Sequence, residues 1–457
     1  MEEPAEEPIE VYIARRRRQN VAIGLLATLG AVGLAGWWIA GDSIERWWRY
    51  DRPGLFAEAS GDVPYERIHA ELLPGWALKL GGKLGEGRQD LLAALSGDPK
   101  LHGIAREMID LAQEDPWSKG QQLIDLCAAW TEHLDEVDQP WLVECNVVDA
   151  GGGAFFYVKS YKVVADARVA MGEERHRVRL LRRVDKTNVR ETYLGHAGSL
   201  EGGARVVTDR IVESAMDGAW PRIGGADRLG EALTKEAGAA LTAGAFEVLR
   251  ATGPTRRAML EAAALIDGKP ECGGLRLSQL PARGYPEGTN AAILEAVERS
   301  GTCPAEAIQG AAALQEGARA LAEVGGLDEA LSELNAWLAR AVIVHEVRHM
   351  GDQAAVGEGA LPCPGCAEEA AEGVLREASA YLASFAEAGV GAIALVQACE
   401  ATGDDRVERA MALIIQAGLG DVCAEGPPED LNARAAAIEE KLFGRSQRIK
   451  APAVAPF

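Results

Sequence analysis

The sequence predicts an α+β protein, predominantly helical, with an N-terminal transmembrane helix, a small antiparallel β-rich region and a C-terminal helical domain. Three observations predict it. Residues 19–41 carry no charge, β-branched and aromatic residues concentrate between Trp141 and about Leu200, and from Asp227 onward the chain is alanine-rich with helical apolar spacing. At 457 residues the chain is long enough for two or three compact units, and 48% hydrophobic with 25% charged residues describes a folded protein. The formal net charge of -22 speaks against a nucleic-acid partner, because phosphate binding needs a clustered basic surface.

Residues 1–19 read as a cytoplasmic tail, of which 1–14 are disordered and acidic through Glu2, Glu3, Glu6, Glu7 and Glu10. Residues 20–41 read as a transmembrane anchor. The apolar run Val21–Ala40 can cross a hydrocarbon core of roughly 30 Å as a helix and exceeds the apolar region of a cleavable signal peptide. Arg15–Arg18 precede it, whereas Arg46, Arg49 and Arg52 behind it are interleaved with acids. The denser cluster predicts an N-terminus inside, with Trp47 and Trp48 at the outer interface. The expectation is a single-pass inner-membrane protein, touching the membrane through residues 20–41, with the bulk of the chain periplasmic or extracellular. All eight cysteines follow the anchor, which fits an oxidising compartment. Eight cysteines allow 105 connectivities. The simplest joins sequence neighbours: Cys127 with Cys145, Cys272 with Cys303, Cys363 with Cys366, and Cys399 with Cys423. The high arginine, alanine and glycine content suggests a GC-rich bacterial genome.

Residues 42–140 read as a helical juxtamembrane region broken by Pro53, Pro74, Pro99 and Pro116. Its clearest helix carries Leu123, Leu126, Cys127, Trp130 and Leu134 at helical spacing. Residues 141–222 form the β-rich region, with three to five antiparallel strands, turns at Gly151–Gly153 and Gly172–Glu174, and a helix over residues 204–219. Residues 223–450 form the helical domain, punctuated by Gly253-Pro254, by the turn-rich stretch 268–289, and by Gly325-Gly326. Its most strongly helical stretch is 327–349. A loop over 351–364 and a further helix over 368–388 follow. Gly151–Gly153 lacks the spacing of a dinucleotide-binding loop.

Within that stretch lies Val344-His345-Glu346-Val347-Arg348-His349, an H-E-x-x-H motif. Two histidines four apart on a helix project from one face, so both imidazoles can reach one Zn²⁺ at about 2.0–2.1 Å. The intervening glutamate can lie beside a water activated by the ion and act as general base. Leu338, Ala341, Val342, His345 and His349 keep helical spacing, so the motif sits where the chemistry needs it. The motif resembles that of the zincin superfamily of metallopeptidases, and the resemblance covers about residues 334–385. No histidine follows His349, and Ala355 stands where the metzincin pattern has a third histidine. The resemblance therefore points to the gluzincin group, whose third ligand is a glutamate on a later helix.

Glu377, in Leu375-Arg-Glu377-Ala-Ser-Ala-Tyr381, is the preferred third ligand, with Glu372 the runner-up and Glu368 and Glu369 behind it. Gluzincins commonly carry an aspartate four residues after the glutamate, where this chain has Tyr381. That tyrosine is either a hydrogen-bond donor to a developing oxyanion or a half-buried aromatic of the helix. Asp352 is a candidate to orient a ligating imidazole, or a simple loop aspartate. Cys363-Pro-Gly-Cys366 reads as a disulfide stiffening the loop between the two ligand helices rather than as a redox pair, because Gly357–Pro362 gives no strand before it.

The expected function is a membrane-anchored, zinc-dependent metallopeptidase acting on peptide or protein substrates outside the membrane. The β-rich segment would supply an edge strand beside the cleft. The competing readings are a non-catalytic envelope protein with a structural or relict zinc site, and a thiol–disulfide oxidoreductase using Cys363 and Cys366.

Overall fold

A computed structural model describes residues 63–77, 87–114, 116–149, 154–185, 194–198, 203–272, 274, 277, 287–357, 359–366, 370–401, 403–445 and 448–457. The expected anchor over residues 20–41, its flanking arginines and the acidic tail lie outside the described residues, as do Gly151–Gly153. Among the described residues no helix is long and apolar enough to cross a membrane. The longest, Leu327–Val356, carries Asp328, Glu329, Glu333, Arg340, Glu346, Arg348 and Asp352 along its length. The expected fold class is corrected accordingly. The described residues are mostly helical with one five-stranded sheet, and neither the transmembrane helix nor the single-pass inner-membrane location is upheld.

The sheet contains β1 (Trp141–Asp149), β2 (Ala154–Met171), β3 (Glu174–Arg183), β4 (Gly195–Gly198) and β5 (Gly203–Val207), in the order β1-β2-β3-β5-β4. β1 runs antiparallel to β2 with Trp141 opposite Lys162 and Asn146 opposite Tyr157. The β2–β3 hairpin turns on Gly172 and Glu173. Gly172 has φ 61°, the left-handed value that a type II′ turn requires at its first central position. By its internal contacts the chain divides into two units, one of residues up to 166 with 180–189, the other of 167–179 with 190–457.

The first unit begins with the consecutive helical segments Tyr65–Arg67, Ile68–Leu72 and Leu73–Ala77, followed by α1 (Arg88–Ala94), α2 (Pro99–Glu114) and α3 (Gly120–Glu136). Proline at the first position of α2 loses no intrahelical bond, and Asp98 Oδ1 accepts the Leu101 N–H at 3.1 Å to close that helix end. α2 buries Leu101, Ile104, Ala105, Met108, Ile109 and Ala112, one stripe of a 3.6-residue period. α3 buries the stripe that the sequence picks out, and the Cys127–Cys145 disulfide ties it to β1.

In the second unit β4–β5 is followed by α4 (Thr208–Ser214), then by Ala215–Ala219 and Trp220–Arg222 in tightened or widened helical turns. α5 (Arg228–Ala240), α6 (Ala243–Ala264), α7 (Glu287–Ser300), α8 (Ala305–Ala322), α9 (Leu327–Val356), α10 (Glu372–Ala386), α11 (Gly391–Glu400), α12 (Asp405–Ile414) and α13 (Leu431–Phe443) complete it. Two boundaries differ from the sequence reading. Residues 204–207 form a buried strand and not the start of a helix, because Ala204, Val206 and Val207 fill a sheet that Gly203 lets lie close to β3. A Cβ on Gly203 would come 2.4 Å from the Arg177 carbonyl oxygen. α6 runs straight through Gly253-Pro254. There the helix passes against the preceding turn so closely that a Cβ on Gly253 would meet the Ile223 carbonyl oxygen at 2.5 Å. The remaining three neighbour pairs of cysteines, Cys272–Cys303, Cys363–Cys366 and Cys399–Cys423, are bonded within this unit.

His69 sets the pH response of the first unit. It is fully buried, its ring stacks on Trp141 at 5.0 Å, its Nδ1–H donates to the Tyr65 carbonyl at 2.7 Å, and its Nε2 accepts from Trp130 Nε1 at 3.1 Å. Burial pushes its pKa down to about 4, only partly opposed by the Tyr65 hydrogen bond. The unfolded chain titrates near 6.5, so between these values it binds a proton that the folded chain refuses. The contribution of neutral His69 is complete above pH 6.5 and is lost as the pH falls towards 4, by about 3 kcal/mol in all. Urea titrations followed by tryptophan fluorescence from pH 7 to 4 are expected to show this slope, and His69→Gln is expected to flatten it.

Candidate metal centre

α9 begins after Gly326, whose φ of 77° starts the helix, and carries Asp328 and Glu329 in its first turn, where the helix dipole favours acids. From Leu334 to Arg348 every residue but Arg340 is buried. A helix covered on all sides is a central element. Its neighbours are α4, α6, α10, α11, β4 and β5. α10 packs along it through Ala378, Ser379, Ala380 and Ala383, and the Ser384 hydroxyl donates to the Ala341 carbonyl at 3.5 Å. Small side chains bring the two backbones close, and that closeness brings Glu377 to the histidines.

His345 Nε2 and His349 Nε2 face each other at 3.0 Å. Glu377 Oε2 lies 3.2 Å from the first and Oε1 3.7 Å from the second. Two donors bound to one tetrahedral zinc ion stand about 3.3 Å apart. The observed separations bracket that value, so the donor set fits a divalent cation, and these three residues form the metal-type cluster found among the described residues.

The electrostatics follow from burial and from the single carboxylate. Burial opposes charge on His345, but the hydrogen bond and charge of Glu377, with Glu346 beside it, outweigh that and raise its pKa. Burial and the field of His345 push His349 down to about 3. Burial alone would raise Glu377, yet the two imidazoles and Arg406 hold it at about 2. His349 held neutral and Glu377 held ionised are in the forms that ligate a metal, whereas His345 would release its proton on binding one.

Glu346 is buried beside the cluster, and burial lifts its carboxyl to about 7, with His345 pulling down and Glu377 pushing up. β4 covers it. A Cβ on Gly195 would stand 2.6 Å from both Cγ and Oε1 of Glu346, so only glycine fits there. The sequence reading missed this contact, since nothing in Gly195-His196-Ala197-Gly198 announces a partner 151 positions later.

Tyr381 is buried, with its ring 4.6 Å from the His345 ring and 5.8 Å from that of Phe385. Burial and the nearby carboxylates Glu377, Glu346 and Asp404 push its hydroxyl well above the ordinary tyrosine range. Glu372 points elsewhere, accepting from Arg376 Nε at 2.8 Å on the exposed side of α10. Glu368 and Glu369 lie outside the described residues. Asp352 does not orient an imidazole: it is fully buried and paired with Arg445, while Arg348, between the two histidines, is paired with Glu439 on α13. His345 Nδ1 is buried with no hydrogen-bond partner. The Cys363–Cys366 loop is held to α13, with Gly365 N–H donating to the Leu442 carbonyl at 3.2 Å. As the sequence reading expects, no strand stands directly before this pair among the described residues.

No protein-family model, curated protein or solved structure matches this chain. The resemblance to zincins therefore rests on the motif and its surroundings alone.

Because Arg348 and Glu439 are both buried, removing Glu439 takes from Arg348 its close ion-pair partner and leaves it the field of Asp352, which is itself paired with Arg445. Glu439→Ala is expected to destabilise the second unit by about 3–5 kcal/mol, and Glu439→Leu with Arg348→Met to recover most of that loss. Denaturant unfolding of the three proteins measures both effects.

Proposed function

We propose that the chain is a zinc-dependent metallopeptidase that hydrolyses peptide bonds, with Zn²⁺ held by His345, His349 and Glu377 and with Glu346 as general base. The observation that carries this reading is the approach of three donor atoms to within 4.8 Å of one another beside a buried glutamate. Three protein ligands leave one position for water or substrate, the arrangement of catalytic zinc sites. Zinc bound there would polarise the scissile carbonyl and make water acidic enough to attack at neutral pH.

Glu346 takes the proton of the attacking water and returns it to the leaving nitrogen. Burial raises this carboxyl in the metal-free protein, and the charge of a bound zinc ion would draw it back towards the ionised form that a base needs. Tyr381, whose raised pKa keeps its hydroxyl protonated, is the proposed donor to the oxyanion. β4 is last in the sheet order and runs beside Glu346, so an extended peptide adding to its edge would pass the base. One observation favours a second reading: Gly195 presses so closely on Glu346 that the centre is covered, as suits a zinc ion bracing α9 against α10 without turnover.

The test uses the full chain, zinc analysis and a peptide library. The native protein is expected to bind one zinc per chain. His345→Ala and Glu377→Ala are expected to lose it, and Glu346→Gln to keep it while cleavage falls by about 10²–10⁴-fold. Full activity in Glu346→Gln rejects the assigned base. One zinc per chain with no peptide cleaved favours the bracing site.

A further inference from the structure

Gly373, Glu377 and Tyr381 recur every four residues and line one face of α10. The start of α12 lies along that face. A Cβ on Gly373 would stand 3.4 Å from Cδ of Arg406, so the glycine leaves room for the arginine stem one turn before the third donor. This is also the end of the centre that water reaches: the side chains of His349 and Glu377 are 17% and 21% exposed, against 8% for His345. The charge of Arg406 is felt at Glu377.

Arg406 is only weakly engaged by its own surroundings. Its ion pair is with Asp404 at 3.8 Å, and its side chain is 69% exposed. Arg376, the neighbouring cation, differs: its Nε and Nη2 both donate to Glu372. A guanidinium has five donors in a planar fork that matches a carboxylate, and one contact of this length leaves that fork available. The chain has 69 acidic against 47 basic residues, so an exposed guanidinium at the rim of the centre stands out on a chain that in general repels anions.

We propose that Arg406 binds a carboxylate of the peptide close to the scissile bond, so that preferred substrates carry an acidic side chain or a free C-terminus there. The proposal rests on the metallopeptidase reading and adds the substrate class. Both sources offer the same group, and the test separates them.

The zinc-loaded full chain is given one parent peptide in three forms: neutral with an amidated end, amidated with Asp or Glu moved through successive positions, and neutral with a free end at successive distances. The carboxylate peptides are expected to exceed the neutral amide in kcat/KM by about tenfold, a modest factor because water competes at an exposed guanidinium. Arg406→Ala is expected to bring that ratio to about one, Arg406→Lys to keep part of it, and Arg406→Glu to invert it, with zinc content unchanged in all three. Whichever set shows the preference identifies the source of the carboxylate. Dissociation constants of the same peptides for zinc-loaded Glu346→Gln, alone and combined with Arg406→Ala, are expected to show the same ratios without turnover. Peptides cleaved with no carboxylate preference, or with one that survives Arg406→Ala, overturn the assignment and leave the hydrolase reading standing. If zinc-loaded protein neither binds nor cleaves any peptide, both fall.

Discussion

Burying a helix that carries Glu346, Arg348 and Asp352 costs several kcal/mol for each charge left alone. The second unit is arranged around that requirement. Arg348 is met by Glu439 and Asp352 by Arg445, both from the C-terminal part of the chain, while His345 and His349 are met by Glu377 from α10. The residues alternate around α9 so that the cation binds one neighbour and the imidazoles another. Glu346 is the exception. No arginine or lysine among the described residues is paired with it, and its carboxyl rises to about 7 instead. An uncompensated buried acid within one turn of two clustered imidazoles is the kind of perturbed group that marks functional sites.

The histidines of this chain show why burial alone does not make a site. His69 is as deeply buried as any, yet both its nitrogens are satisfied, one by a backbone carbonyl and one by an indole N–H. It is a finished part of an aromatic core. His345 and His349 instead point their Nε2 atoms at each other and at the carboxylate of Glu377. A shared focus, and not depth, separates the two cases.

Much of this was legible in the sequence because it is local or periodic. The motif helix, the apolar stripe of α3, the neighbour pairing of all four disulfides and the approach of Glu377, rather than Glu372, to the two histidines need only spacing and short-range reach. What was illegible depends on distant chain. Asp352 looked available to an imidazole until α13 and its following turn delivered Arg445. Gly195 and Arg406 gain their meaning from packing against α9 and α10, and no linear pattern records such packing. Gly253-Pro254 looked like a break, but the turn at Ile223 needs a helix without a Cβ there. The apolar stretch 20–41 suggested a span on hydropathy alone. The described helices, including the all-round buried α9, are apolar because protein covers them, and none has the unbroken length that lipid demands.

The loop between α9 and α10 closes on itself through Cys363–Cys366, and at Gly365 its backbone is pressed so near α13 that a side chain there would strike the Lys441 carbonyl. The loop that joins the two donor-bearing helices is thereby held by covalent and main-chain bonds that involve no ion. In that respect the centre is unlike a zinc finger, where the metal itself supplies the folding energy. Under the zinc reading proposed above, an ion removed by a competing chelator would leave its cradle standing, and inheritance could alter or discard the donors without forfeiting the architecture around them.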